Sequence, residues 1–332
     1  MIKKIGFIGA GLINQYCHIP SFYEISSVEL NSICDENENL LNKVHKKFSF
    51  KKKFTNIDDF LSNKELDAIV VTVGREDTIK VIEKIYKKKS IYILCEKPFG
   101  QNFNQSLSLI NKYKKYSNKT VVGYMKKYEP AFLDIKQIIK SKKYGSLLSC
   151  SIKNSMGNSY CNPFNYEKRL DQLKYIKKIK RVKNRNFKNY LNVFCHDYNI
   201  VQDLLGKKYK IISTNLNKIG EGRVNLSINN IPISIDTNFN NNKKWHETIK
   251  FNFATAEIKI LFPPALLINK LARLEIIDYK KNNKIFHDYN PNWSFRIQAK
   301  TFTDYINGKI KNPSNTKNAI FDLKLIEEIW KK

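Results

Sequence analysis

This chain of 332 residues lacks most of the features that would assign it to a special environment. No apolar run approaches the roughly 18 residues that a membrane-spanning helix requires, so no span is expected. The six cysteines, Cys17, Cys34, Cys95, Cys150, Cys161 and Cys195, are dispersed and form no CxxC pair. Reduced thiols in a cytoplasmic protein fit that pattern better than a disulfide framework. No cluster of His, Cys, Asp and Glu has metal-ligand spacing, so no metal is expected. No G-x-S-x-G elbow or P-loop is present. The start, Met1 to Lys4 followed by an apolar stretch to Ile13, has the outline of a signal peptide. Gly6, Gly9 and Gly11 interrupt it and no small-residue cleavage site follows, so it reads as mature sequence.

Acidic residues are also scarce: 30 against 59 Lys and Arg, a formal charge of +29. Such a charge invites a nucleic-acid reading. Lysine is spread through the whole chain beside abundant Asn and Ile, however, and no basic-aromatic binding motif appears. The runs Lys51 to Lys53 and Lys87 to Lys89 fit a strand start and a helix C-terminus, where cations suit the dipole. No specific nucleic-acid partner is expected. The length suggests two domains, and 42% hydrophobic residues can supply their cores.

What is present begins with Lys4 to Ile8, a short strand running into Gly9-Ala10-Gly11-Leu12-Ile13-Asn14. This G-x-G-x-x-N is close to the dinucleotide fingerprint, with a helical segment expected up to Pro20. Gly9 permits a tight turn, and Gly11 lets a pyrophosphate approach the backbone at a helix N-terminus. Leu12 and Ile13 complete that cradle, while Asn14 takes the place of the third small residue. The next strand, Val28 to Cys34, ends at Asp35, 24 residues after Gly11. An acid there binds ribose hydroxyls and repels a 2′-phosphate, which favours NAD over NADP. The plainer alternative is a turn-capping Asp. Strands at Ala68 to Val73, Ile91 to Leu94 and Thr120 to Gly123 alternate with helices at Ile57 to Leu61, Asp77 to Tyr86 and Phe103 to Tyr116. Alternation of this kind indicates a doubly wound parallel sheet. Its strand ends carry Thr72 and the sequence Cys95-Glu96-Lys97-Pro98, at the edge where open α/β sheets bind ligands.

The order glycine turn, Asp35, Cys95-Glu96-Lys97-Pro98 and then Gly123-Tyr124-Met125-Lys126-Lys127-Tyr128-Glu129-Pro130 resembles the Gfo/Idh/MocA family of glucose-fructose oxidoreductase and inositol dehydrogenase. The resemblance implies a Rossmann domain over 1–124. It implies a second, α+β domain over 125–332 built on a large open, mostly antiparallel sheet, with the C-terminal helix packing back on the first domain. It implies a nicotinamide cofactor held by Gly9, Gly11, Leu12, Ile13, Asp35, Thr72, Glu96 and Lys97. Lys97 then lies beside nicotinamide and substrate, with a cis bond to Pro98. The stretch Thr72 to Asp77 departs from the family pattern, lacking its proline and histidine.

In the second half, alternating stretches at Leu147 to Lys153, Lys210 to Asn217, Arg223 to Ile228, Ile231 to Asn238, Thr248 to Phe253, Glu257 to Phe262 and Arg273 to Tyr279 read as antiparallel strands. A sheet that broad has a face left to bury, and the family implies a homo-oligomer, a dimer or tetramer. Leu191 to Leu205 reads as a helix stopped by Gly206. Asn192, His196, Asn199 and Asp203 share one of its faces. On the residues alone, His196 is a structural histidine. The resemblance makes it the acid/base group, with Asn192 and Asn199 where relatives carry acids. Thr316 to Trp330 reads as a helix that packs through Ile320, Leu323, Ile326 and Ile329. The basic stretch from 160 to 190 reads as a solvated lysine-rich segment, the sharper alternative being contact with a phosphorylated or nucleotide-linked sugar.

These readings converge on a cytoplasmic NAD-dependent oxidoreductase. It moves hydride at a secondary alcohol or ketone carbon of a sugar, nucleotide sugar or cyclitol. Lys97 and His196 are its catalytic pair, and Tyr124, Lys126, Asn192 and Asn199 its substrate contacts. The alternative is an NAD-binding relative without turnover, acting as a sensor or partner protein.

Overall fold

The computed structural model describes residues 2–157, 184–239 and 245–332. They form two compact units, one of residues 1–125 with 295–324 and one of 126–294 with 325–332.

The first unit is built on six strands, β1 (Lys3–Ile8), β2 (Val28–Cys34), β3 (Lys52–Phe54), β4 (Ala68–Val71), β5 (Tyr92–Glu96) and β6 (Thr120–Gly123). All their pairings are parallel and their order is β3-β2-β1-β4-β5-β6. This is the doubly wound order, whose direction reverses between β1 and β4. Strand β4, in the middle of the sheet, and β6, at its end, are buried at every residue, as a sheet covered on both faces requires. Phe7 on β1 meets Phe22 and Phe50 edge to face, and Phe22 meets Phe302 on the helix Ser294–Ile306. Each such ring stabilises the fold by roughly 1.5–3 kcal/mol. Asparagine caps three of the helices: Asn37, Asn56 and Asn102 accept from Leu40, Asp58 and Gln105 N–H at 3.2, 2.6 and 2.9 Å.

Several boundaries differ from the sequence reading: β4 ends at Val71 and not Val73, and the helix expected over Asp77 to Tyr86 spans Thr78–Lys88. The helix after the glycine turn continues through Pro20 to Tyr23, because a π turn at Asn14–His18 precedes the proline. In that turn Ile19 N–H reaches back five residues to Asn14, and the wider spacing relieves the steric conflict of a helical proline. β5 extends past Leu94 to Glu96. The helix Phe103–Lys112 ends before Tyr113, and Lys114–Ser117 forms a separate turn.

The second unit contains eight strands, β7 (Leu147–Ser155), β8 (Tyr209–Leu216), β9 (Gly222–Ile228), β10 (Ile231–Asn238), β11 (His246–Phe253), β12 (Ala256–Phe262), β13 (Arg273–Asp278) and β14 (Asn283–His287). Their order is β14-β13-β12-β11-β7-β10-β9-β8, and only β10 with β7 is parallel. Alternation is strict: Ile249, Phe251 and Phe253 are buried while Thr248, Lys250 and Asn252 are half-exposed. The 21-residue helix Arg185–Leu205 belongs to this unit and ends at Gly206, whose φ is 101°. Of the basic stretch 160–190, the part up to 183 lies outside the described residues, and the rest opens this helix. The final helix, Thr316–Trp330, buries Ile320, Leu323, Ile326 and Ile329 and runs across the division between units. No described helix is long and apolar enough to cross a membrane.

Candidate active site

The glycine turn is set by a backbone that only glycine adopts easily. Gly9 has φ +98°, and a Cβ there would stand 2.7 Å from the Thr72 carbonyl oxygen. A Cβ at Gly11 would meet nothing within 4 Å, so the backbone at that residue faces open space. Asn14, fully buried, donates its side-chain N–H to the Gly9 carbonyl, and Gln15 donates to Ala10 at 2.7 Å. The polar residue in place of the third small one therefore ties down the loop it follows. Leu12 and Ile13 are half-buried at the start of the helix.

Asp35, just beyond β2, accepts from Ala10 N–H at 2.6 Å and from Asn37 N–H at 2.9 Å. Its charge is thereby fixed beside the glycine turn. Burial, reinforced by Asp35, pushes the neighbouring Cys34 thiol up to about 12, which leaves it inert. Thr72 sits beyond β4 with a buried hydroxyl that meets no partner among the described residues. An open backbone, a fixed carboxylate and an orphaned hydroxyl suit the pyrophosphate and ribose of a dinucleotide.

Glu96 ends β5, and Lys97 follows with a cis bond to Pro98. One Glu96 oxygen is held by His18 Nε2 at 2.8 Å, and the other accepts from Lys97 N–H at 3.2 Å. His18 is 1% exposed and packs edge-on against Phe295. The sequence reading missed it. His18 closes the π turn ahead of Pro20, and the proline is the one sequence signal that pointed there.

In the second unit, His196 and Asn199 are buried on the long helix and Asn192 is half-buried one turn earlier. Asp203, on the same sequence stripe, is bound by Lys127 at 2.8 Å and Lys136 at 2.9 Å. Burial raises its carboxyl, but the two ammonium groups outweigh this and hold it below the usual range. Tyr124, at the end of the first unit, is 2% exposed. Lys126 is 3% exposed, bound to Glu247 and set over the rings of Trp245 and Phe262. Among the described residues no group of three or more His, Cys, Asp or Glu could hold a metal ion.

Residues 3–124 match the model of an oxidoreductase family, GFO_IDH_MocA, defined by an NAD-binding Rossmann fold. Over that stretch the chain is similar to the Gfo/Idh/MocA family. Inositol 2-dehydrogenase of Salmonella typhimurium is 23% identical over 150 residues, which cover 45% of this chain and 44% of that one. An oxidoreductase of Formosa agariphila, P35, is 22% identical over 149 residues, 45% of this chain and 46% of its own. The matched stretch is thus under half the length of each curated relative. Among solved structures, a 3-ketoreductase from Actinomadura kijaniata, in complex with NADP and TDP-benzene, superposes with a TM-score of 0.78 at 10% identity. That match covers 100% of this chain and 98% of the ketoreductase. A dehydrogenase from Clostridium difficile gives 0.77 at 18% identity, covering 99% of both chains. These neighbours share the fold of this chain, a parallel six-stranded sheet followed by a mostly antiparallel eight-stranded one.

Proposed function

We propose that this chain is an NAD-dependent oxidoreductase acting on a secondary alcohol or ketone carbon of a sugar, nucleotide sugar or cyclitol. The observation that carries the reading is the carboxyl edge of the first sheet. There the open backbone at Gly11, the fixed carboxylate of Asp35, the orphaned Thr72 hydroxyl and Lys97 all follow strand ends. Bound nicotinamide supplies or accepts the hydride, which is the cofactor's own chemistry. Lys97 hydrogen-bonds the reacting oxygen, and its ammonium stabilises the negative charge that develops there. His196 carries the proton that leaves or joins that oxygen. Tyr124, Lys126, Asn192 and Asn199 are the candidate substrate contacts. The relatives support a ring alcohol or ketone: some are named for inositol, and a fold neighbour holds a TDP ligand. A homo-oligomer is proposed through the polar, half-exposed face of the second sheet, for which sedimentation velocity is the measurement.

Turnover tests the reading directly. The purified chain is assayed with NAD(H) and NADP(H) against sugars, cyclitols and nucleotide sugars by nicotinamide absorbance. Reduction or oxidation of at least one ring substrate is expected. Tight NAD(H) binding with no turnover across the panel would instead support a sensor or partner protein. The observation favouring that second reading is the pair Asn192 and Asn199, which cannot stabilise an imidazolium as carboxylates do.

A further inference from the structure

The helix that carries His196 is fastened to its sheet by a group of charges that the proposed chemistry does not use. Asp197, the next residue, is 0% exposed, and Glu247 on β11 is 1% exposed. Lys126 binds one oxygen of Glu247. Asn154, on β7, donates to Asp197 Oδ2 at 2.8 Å. The remaining oxygens, Asp197 Oδ1 and Glu247 Oε2, are buried and meet no other donor among the described residues. Asn154 and Glu247 are direct partners in the β7–β11 pairing, so the residue that binds Asp197 stands beside Glu247.

Two carboxylates against one ammonium leave an excess negative charge in a dry interior, which is strongly unfavourable. One proton removes the excess and explains both orphaned oxygens, since the acid donates and the carboxylate accepts. We propose that Asp197 and Glu247 share a single proton at neutral pH, and that this proton positions the His196 helix on the sheet. Loss of the proton to solvent leaves two carboxylates repelling each other across the helix–sheet contact, so the clamp weakens in alkali. The groups facing Asp197 support this arrangement. Burial first, then Glu247, pushes its carboxyl up to about 8 against the opposing pull of Lys126 and Asn154. Tyr190 and Tyr198 lie on the same helix and hydrogen-bond each other at 2.6 Å. Glu129 acts on the same Lys126 and Glu247; burial raises it to about 7, against the Ala272 N–H and Ser294 side chain that it accepts from.

The sign for stability follows. Unfolded Asp titrates near 3.9, whereas folded Asp197 titrates near 8. Between those values the folded state keeps a proton that the unfolded state has lost. Stability from this group therefore falls as pH rises and levels off above the folded value.

The test is infrared spectroscopy of the full chain, following the carbonyl stretch of protonated carboxylic acids between about pH 6 and about pH 9.5. Asp197→Asn and Glu129→Gln serve as variants. A buried-acid band that fades with a midpoint near 8, is absent in Asp197→Asn and survives in Glu129→Gln is the expected result. The same band in Asp197→Asn, or no buried-acid band in the unsubstituted protein, overturns the proposal. Asn at 197 mimics the neutral acid in shape and bonding, so Asp197→Asn is expected to fold and to lose less melting temperature in alkali. The effect on turnover rests on the role given to His196. If it holds, the alkaline fall of kcat near this midpoint disappears in Asp197→Asn while KM at neutral pH is unchanged. Absence of turnover leaves the infrared result decisive for the shared proton, so the two readings fail separately.

Discussion

Asp35 shows how much one side chain can decide. Both of its oxygens are committed to backbone N–H groups, so the carboxylate cannot swing away from an incoming 2′-phosphate. NAD(H) is expected to bind more tightly than NADP(H), and Asp35→Ala to narrow the gap roughly tenfold, as loss of a charged hydrogen-bonding partner does. Titration calorimetry with both cofactors measures this; equal or tighter NADP(H) binding by the unsubstituted chain would refute it. Lys97 and His196 belong at the same scale. Lys97→Ala and His196→Asn are expected to keep cofactor affinity, because the cradle around Gly9 and Asp35 is intact. Loss of a proton carrier lowers kcat by roughly 10²–10⁴. Lys97→Arg should not rescue, since a planar guanidinium does not replace a compact ammonium. Near-normal kcat in a folded His196→Asn protein would remove His196 from the chemistry. His18 adds a finer test. Its bond to Glu96 leaves the other Glu96 oxygen for Lys97 N–H. His18→Leu is expected to lower kcat with little change in cofactor affinity, and His18→Gln, which keeps an N–H at that reach, to recover it. Glu96, Lys97 and Asp35 were legible because short motifs fix their places. His18, Asp197 and Glu247 were not, since each takes its meaning from a partner distant in sequence.

At the level of elements, the turn after β1 separates folding from binding. Gly9→Ala places a Cβ against the Thr72 backbone at a positive φ, so stability should fall by about 1–3 kcal/mol. Gly11→Ala meets only open space, so melting should be unchanged while cofactor affinity drops. Calorimetry with and without NAD(H) measures both; a destabilised Gly11→Ala protein would show that the open space serves folding instead. Strands and the His196 helix were readable because period-2 and period-3.6 patterns are set by which face is buried. The helix Glu38–Phe48 was not, as only Leu41 and Val44 are fully buried on it and the rest is lysine, asparagine and other exposed residues. β3 and β14 are short and mostly exposed, which erases alternation. The π turn was illegible for another reason: no residue preference marks an extra residue inside a helix, and only the proline hinted at it.

For the whole molecule, the charge of +29 is spread over lysines that largely cover surface. Many are matched locally, as Lys84 and Lys88 are on Asp58. Duplex DNA is expected to bind without sequence preference and no tighter than about 10⁻⁶ M at physiological salt. Competition between unrelated duplexes measures this, and strong preference for one sequence would contradict it. The two-sheet architecture was legible from the family motifs, but the return of residues 295–306 to the first unit was not, because nothing local in a helix names the unit it joins. That return also orders events during synthesis. β7 pairs with β10 and β11, strands made some 80 to 100 residues later, so its apolar face at Cys150 and Ile152 waits without a sheet. At roughly 5–20 residues per second, that wait lasts seconds. The first unit waits longer, until Phe302 emerges to cover Phe22, and the second needs Trp330 against Tyr190. The first unit is completed on the ribosome only after Phe302 has left the exit tunnel, and the second only after Trp330 has.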